Sequence, residues 1–211
     1  MTKIARRNLL IAGVAGLGTA AIIGTALIPV FRKASAEDLA MDDILFDPDN
    51  PVLGNPEGDV TIVEFFDYQC PYCKRDHSDL MDVVVNDGNT RLVMKDWPIF
   101  GAPSIRASQL VFGAAGLGAY EAANKALMAT SGRLTDAEIE TTLERAGFKI
   151  AELEAEYQAN RGTWDGLMSR NSAQAAQLGL RGTPAFIIGD AIYPGAMNRA
   201  ALKRAIATSR K

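Results

Sequence analysis

Histidine and cysteine are scarce in this chain of 211 residues, which has one histidine, His77, and two cysteines, Cys70 and Cys73. A single histidine argues against a histidine-rich metal site and against a Ser-His-Asp triad. One cysteine pair excludes a small disulfide-stapled scaffold, and a chain of this length does not need one. The 48% hydrophobic content excludes a disordered or low-complexity chain.

Basic residues are not in excess either, since the formal net charge is -3. The sequence therefore lacks the basic character of a typical nucleic-acid-binding protein, and no nucleic-acid partner is expected. The charge is unevenly distributed, because residues 1–36 contain five basic and no acidic side chains. Residues 37–211 consequently carry a net charge of -8.

The N-terminal segment, residues 1–36, has the composition of a targeting sequence. No charged residue occurs from Asn8 to Phe31, and Ala34-Ser35-Ala36 matches the small-x-small pattern of a signal-peptide cleavage site. The 23 residues of Leu9–Phe31 are also long enough to cross a bilayer, for which about 20 suffice. We expect a cleaved signal peptide or an uncleaved membrane anchor, and both hypotheses place residues 37–211 in the periplasm.

The remaining chain has the pattern of an α/β domain. Runs of apolar and β-branched residues predict strands at Val60–Phe66, Arg91–Trp97 and Ala185–Ile188, with a short strand after the last of these. Residues 37–58 are rich in turn-forming residues and predict a linker with a lead-in strand around Ile44–Phe46.

A long helical block separates the second and third predicted strands. Between Ser104 and Leu180 no segment has a convincing strand pattern. Ser104 is predicted to cap the first helix of this block, and Thr135 with Glu138 forms a capping box for a later one. A final helix is predicted from about Asn198.

Cys70-Pro71-Tyr72-Cys73 is the motif that points most directly to chemistry. A strand that delivers a CxxC motif to the start of a helix is typical of thiol–disulfide redox proteins. The helix N-terminus stabilises a thiolate, and a spacing of three residues brings both sulfurs within reach of a disulfide. We therefore predict Cys70 as the exposed attacking sulfur and Cys73 as the shielded resolving one. Inert buried cysteines and a structural disulfide are weaker alternatives, since a disulfide across so short a loop would stabilise little. A zinc site that includes His77 is the more serious alternative, but a closed site needs a fourth ligand. His77 itself is predicted to be a solvated helix residue.

Two further features are candidates for the same site. The Thr183-Pro184 sequence before an apolar strand predicts a cis-proline turn, which would expose the Thr183 backbone to an extended peptide. Glu64 is a carboxylate within an apolar strand, so we expect a raised pKa and a role in relaying the Cys73 proton. The alternative is that Glu64 faces solvent or pairs with Lys95, and both interpretations stay open.

Three segments together resemble the DsbA-like branch of the thioredoxin superfamily. They are the active-site segment Glu64–Cys73, the segment Trp97–Gly101 followed by Ser104, and the loop Gly182–Phe186. The resemblance implies a thioredoxin-like fold with an inserted helical domain. It divides the chain into a signal or anchor segment (1–36), a linker with a lead-in strand (37–58), a thioredoxin-like domain (59–102 and 180–211) and a helical insertion (103–179).

The resemblance also implies a function, namely disulfide exchange with client proteins outside the cytoplasm. It makes Cys70 the nucleophile, Cys73 the resolving cysteine, Pro184 the cis-proline and Glu64 the buried acid. Substrate contacts are expected from Pro71, Tyr72, Thr183 and Pro184. The best-known oxidant of the family has histidine where this chain has Tyr72, so thiolate stabilisation should be weaker here.

We expect an oxidase that is reoxidised by a DsbB-like membrane partner, with neither a cofactor nor a metal. A reductase or isomerase that is kept reduced by a reductase partner is the second hypothesis. A copper-binding assembly chaperone is a third, since cysteine ligands suit Cu(I).

Overall fold

The structure, a computed structural model, describes residues 36–211. The predicted signal or anchor segment falls on residues outside this range, apart from Ala36. No helix among the described residues combines the length and the apolar character that crossing a membrane requires.

A five-stranded sheet forms the centre of the described part of the chain. Its strands are β1 (Val52–Gly54), β2 (Val60–Phe66), β3 (Thr90–Asp96), β4 (Ala185–Ile188) and β5 (Ala191–Pro194), in the order β1-β3-β2-β4-β5. Strands β2 and β3 are parallel and are connected by helix α2 (Pro71–Asp87), whereas the other neighbours are antiparallel. The two parallel strands are largely buried on both faces, as expected for continuous apolar runs.

Eight helices accompany the sheet in the described part of the chain, and five of them lie consecutively between β3 and β4. Helix α2 packs against the sheet and against the last helix. The helices are α1 (Ala36–Phe46), α2 (Pro71–Asp87), α3 (Ala102–Gly116), α4 (Tyr120–Met128), α5 (Asp136–Arg145), α6 (Ile150–Ala159), α7 (Arg161–Gln177) and α8 (Arg199–Ser209). The predicted α/β, thioredoxin-like fold is confirmed.

The sheet separates two apolar cores. Ile62 and Phe66 belong to a large core that includes α2 and the helical block, whereas Val63 and Phe65 belong to a smaller core that includes residues of α1 and α7. Because side chains alternate along a strand, Glu64 lies on the same face as Ile62 and Phe66. The acid therefore points to the side of the sheet that carries α2.

The predicted lead-in strand around Ile44–Phe46 is wrong, because these residues form the last turn of α1. Met41, Ile44 and Leu45 follow helical spacing and pack against the smaller core. The lead-in strand is β1, which starts at Val52 and pairs antiparallel with β3.

The helical block begins differently from the prediction at Ser104. Helix α3 already starts at Ala102, with Gly101 as its N-cap, and the Ser104 hydroxyl has no hydrogen-bond partner among the described residues. Pro103 explains the earlier start, since proline is tolerated in a first helical turn. The capping box of Thr135 and Glu138 is confirmed.

Candidate active site

The CxxC motif lies where β2 ends and α2 begins. Cys70 is the N-cap of α2 in an extended conformation, and Pro71 occupies the first turn, where its missing N–H costs nothing. Cys73 follows on the buried face of the helix, which also carries Leu80 and Val84. The helical register therefore places Cys73 against the large core and leaves Cys70 at the helix end.

The two cysteines are free thiols in direct hydrogen-bonding contact. The Cys73 backbone N–H donates to Cys70 Sγ at 3.4 Å, and Cys70 Sγ donates to the Thr183 carbonyl oxygen at 3.2 Å. The expectation that Cys70 is exposed is wrong, because only 1% of each cysteine is accessible. The loop around Thr183 covers the Cys70 sulfur. Cys70 nevertheless lines a cavity at the surface, together with Thr183.

The surroundings of the two thiols give them very different pKa values. Hydrogen bonding by the Cys73 thiol, together with the backbone N–H groups of Tyr72 and Cys73, outweighs burial and lowers the pKa of Cys70 to about 6. Burial, reinforced by the hydrogen bond to Cys70 and by the charge of Glu64, raises the pKa of Cys73 far above its usual value. Cys70 is therefore the thiol that ionises near neutral pH, and Cys73 retains its proton.

Glu64 is buried and has no charged partner in the described part of the chain, which excludes one of the two sequence interpretations. It is 2% exposed, and its Oε2 atom has no hydrogen-bond partner among residues 36–211. The register places Glu64 beside Met94, while Lys95 is beside Phe65, so acid and lysine project from opposite faces of the sheet. Burial, with smaller contributions from Cys70 and nearby carboxylates, raises the pKa of Glu64 to about 8. The alternative of a solvent-facing or Lys95-paired glutamate is wrong.

A second buried acid, Asp96, lies at the end of β3 on the same face as Glu64. It is 1% exposed, and burial raises its pKa to about 7. Tyr120 Oη donates to Asp96 Oδ2 at 3.3 Å, whereas Asp96 Oδ1 has no hydrogen-bond partner in the part of the chain that the structure describes. The sequence reasoning missed this residue, although a carboxylate in an apolar strand is the same signal that identified Glu64.

The active-site loop is fixed by a third carboxylate, Asp67, which follows β2 directly. Its side chain accepts hydrogen bonds from the backbone N–H groups of Gln69 at 2.7 Å, Ile99 at 2.7 Å and Phe100 at 3.2 Å. Asp67 thereby joins the loop before Cys70 to the loop after β3. An aspartate side chain that accepts a hydrogen bond from the backbone N–H two residues later in the chain is typical of a turn. The sequence reasoning did not use this signal.

Gln69 and Lys74 attach the same region to the loop between α4 and α5. Gln69 exchanges two hydrogen bonds with the Leu134 backbone, at 2.7 and 3.0 Å. Lys74 Nζ donates to the Gly132 carbonyl oxygen at 2.7 Å. The first turn of α2 is therefore held from the sheet side and from the helical block.

The loop from Gly182 to Pro184 covers the CxxC motif, although it is more than one hundred residues away in sequence. The Thr183–Pro184 peptide bond is cis, as the sequence predicts. Pro184 is buried at the start of β4, and Thr183 is partly exposed. Pro71 and Tyr72 are exposed, and Tyr72 is 54% accessible.

His77 does not behave as predicted, because it is buried rather than solvated. It is 7% exposed, and its Nδ1 atom finds no hydrogen-bond partner within the described range. Burial and the charge of Lys125 lower its pKa to about 4. Within residues 36–211, no group of three or more histidine, cysteine or acidic side chains is arranged to hold a metal ion.

Comparisons with known proteins agree with this geometry. Residues 47–208 match the family described as Thioredoxin. A thioredoxin-like oxidoreductase from Silicibacter pomeroyi is 38% identical, with a TM-score of 0.76 over 80% of this chain and 96% of that chain. The thiol-disulfide exchange protein alpha-DsbA2 from Wolbachia pipientis is 26% identical, with a TM-score of 0.74 over 79% of this chain and 90% of that chain.

A periplasmic thioredoxin-like protein from Salmonella enterica serovar Typhimurium is also similar. It is 26% identical, with a TM-score of 0.69 over 82% of this chain and 96% of that chain. Among curated proteins, the Na(+)/H(+) antiporter NhaA 3 of Salinispora tropica is 26% identical over 163 residues, which are 76% of this chain. This chain spans about a quarter of the length of the curated relatives that it matches (25% and 29%). Since the family match covers most of the chain and the solved structures are similar over most of their length, the chain belongs to the thioredoxin family, as a DsbA-like member.

Proposed function

We propose that this protein is an exported thiol:disulfide oxidoreductase that oxidises client proteins through Cys70 and Cys73. The observation that carries the proposal is the contrast between the two thiols. Cys70 has a pKa of about 6 at a helix N-terminus, whereas the pKa of the buried Cys73 is strongly raised. A thiolate with a low pKa is a good leaving group, which suits the cysteine that is released from a client.

Oxidation of a client pair takes two steps. A client thiolate attacks Cys70 Sγ of the Cys70–Cys73 disulfide, the internal S–S bond breaks, and Cys73 takes up a proton. A second client thiolate then attacks the client sulfur of the mixed disulfide and releases Cys70 as a thiolate. Two electrons pass from the client to the cysteine pair, and the client gains one disulfide.

Glu64 is the group that we assign to the proton transfer at Cys73. Because its pKa is about 8, Glu64 is mostly protonated at neutral pH and can supply a proton when Cys73 is released. In the reverse direction, a Glu64 carboxylate accepts the proton that Cys73 loses. The charge of Glu64 raises the pKa of Cys73, which supports a proton transfer between these two side chains.

Two observations support export, and a third supports the oxidising direction. The similar Salmonella protein is described as periplasmic, and residues 1–36 have a targeting composition. The stabilised Cys70 thiolate favours the reduced form of the protein, which makes the disulfide form an oxidant. A membrane-bound oxidase would then return the cysteine pair to the disulfide.

The test combines trapping with alkylation. Cys73→Ala should accumulate mixed disulfides with client proteins through Cys70, and Cys70→Ala should accumulate none. Alkylation of wild-type Cys70 should be half-maximal near pH 6. Preferential labelling of Cys73 under these conditions would overturn the assignment.

The direction is tested by trapping thiols in growing cells. An oxidase should hold the Cys70–Cys73 pair mainly as a disulfide, and deletion of its membrane oxidase should convert the pair to thiols. A pair that is found mainly as thiols in wild-type cells would instead establish a reductase or isomerase.

A further inference from the structure

Two adjoining cavities form a groove beside the reactive sulfur, which we call the client groove. The first has a volume of about 460 Å³ and is lined in part by Cys70. The second, of about 550 Å³, extends along the loop that carries Pro184. Both are lined by Tyr72, Arg181 and Thr183, so the groove runs continuously past the CxxC motif.

The client groove is apolar along its rim and positively charged. Tyr72, Ile99 and Phe100 line the first cavity and are 54%, 38% and 36% exposed. Arg133 and Arg181 are the charged residues that line the two cavities, and no acidic residue lines either of them. The groove is therefore a cationic site on a region, residues 37–211, with a net charge of -8.

Arg133 and Arg181 are exposed, and neither forms an ion pair with another residue in the described part of the chain. Six other arginines do form ion pairs with carboxylates there. The Arg133 guanidinium lies over the Phe100 ring at 5.3 Å, which orients it at the groove without neutralising it. Both guanidinium groups remain available to an anionic ligand.

We propose that the client groove selects extended client segments that carry acidic side chains close to the reactive cysteine. This inference rests on the proposed function and adds the class of substrate. The client cysteine would meet Cys70 while its backbone follows the Thr183 loop, and flanking aspartate or glutamate side chains would contact Arg133 and Arg181. Apolar client side chains would pack on Phe100 and Tyr72.

The size of the preference follows from the exposure of the two arginines. Ion pairs at exposed sites are weak and are screened by salt, and charges at the edge of an interface act mainly on the association rate. A client with flanking glutamates should therefore react about three- to tenfold faster than its glutamine counterpart at low ionic strength. The advantage should largely disappear near 1 M salt, where the Debye length is only about 3 Å.

The test uses the oxidised wild-type protein and three peptides with one cysteine, flanked by glutamate, glutamine or lysine. The rate constant of mixed-disulfide formation should fall in the order glutamate, glutamine, lysine. In Arg133→Glu/Arg181→Glu the order should reverse, whereas Arg133→Lys/Arg181→Lys should keep the wild-type order. Arg204→Glu is the matched control, because Arg204 is exposed on α8 and lines neither cavity.

The outcomes separate this inference from the proposed function. Equal rates for the three peptides would refute the acidic preference while leaving the oxidoreductase intact. An absence of reaction with every peptide and with reduced unfolded proteins would refute the proposed function itself. Reduced glutathione is included as a small anionic thiol. The arginine variants could slow only the reaction with glutathione and leave the order of the peptide rate constants unchanged. In that case the groove binds a small acidic thiol, and the client inference is overturned.

Discussion

Replacing Glu64 with glutamine should make the stability of this protein less dependent on pH. Glu64 is 2% exposed, and its pKa is raised from 4.5 to about 8, mainly by burial. In the unfolded chain the carboxyl group ionises near its ordinary value, so from about pH 4.5 to about pH 8 the folded state binds more protons. Stability contributed by this group is therefore fully present at low pH and is lost as the pH rises through that window.

The magnitude follows from proton linkage. One additional bound proton changes the free energy of unfolding by about 1.4 kcal/mol per pH unit. Between about pH 5 and pH 7, the wild-type protein should lose about 2 to 3 kcal/mol of stability through Glu64. Glu64→Gln should lose none of this, although the buried amide can lower its stability by about 1 to 3 kcal/mol at every pH.

The assay is denaturant unfolding of the reduced proteins across this pH range, with the difference between variant and wild type as the readout. A cost that is independent of pH cancels in this comparison. The linkage of Asp96 is present in both proteins and cancels apart from its smaller interaction with Glu64. Glu144→Gln is the control, because Glu144 is exposed on α5. If wild type and Glu64→Gln showed parallel pH profiles, Glu64 would not be a protonated buried acid, and its proposed role at Cys73 would fail with it.

Three further predictions concern the loop, the motif and the helical block. Tyr72→His should raise the reduction potential by tens of millivolts in a glutathione redox titration, because a ring N–H beside the Cys70 thiolate stabilises the reduced form. An unchanged potential would show that the side chain at position 72 does not act on the Cys70 sulfur. Asp67→Ala leaves three backbone N–H groups without their acceptor and should lower the unfolding free energy by about 3 kcal/mol or more in urea. Gly113→Ala should lower the midpoint of thermal unfolding, because the added Cβ would lie 2.0 Å from the Leu153 carbonyl oxygen and disturb the packing of α3 on α6. An unchanged midpoint would contradict this close approach.

Features that depend on local sequence could be predicted without the structure. The strand Ala185–Ile188 and the capping box of Thr135 were both correct, because each is encoded within a few neighbouring residues. The start of α2 at the CxxC motif was predicted for the same reason. The helix over Ile44–Phe46 was missed, since its burial depends on contacts with the smaller core across the sheet.

Burial within the site could not be predicted in the same way. The exposure of Cys70 depends on the Thr183 loop, which is 113 residues distant in sequence. The burial of His77 depends on how α2 packs, and a histidine on a helix gives no such signal by itself. Asp67 was part of the segment that resembles the DsbA family, but its three hydrogen bonds become visible only when the loop after β3 is placed beside it.

The alternation of side chains along β3 determines the electrostatics of the whole site. Lys95 and Asp96 are adjacent in sequence, yet Lys95 packs near Phe65 on one face while Asp96 lies on the face of Glu64. Burial lowers the pKa of Lys95 to about 8, and its Nζ donates to Asn171 Oδ1 at 3.3 Å on that opposite face. Lys95, although adjacent to Asp96 in sequence, therefore cannot neutralise either buried acid. Both acids keep raised pKa values on the face that also carries Cys73, at a cost in stability, which is consistent with the proposed proton transfer from Glu64 to Cys73.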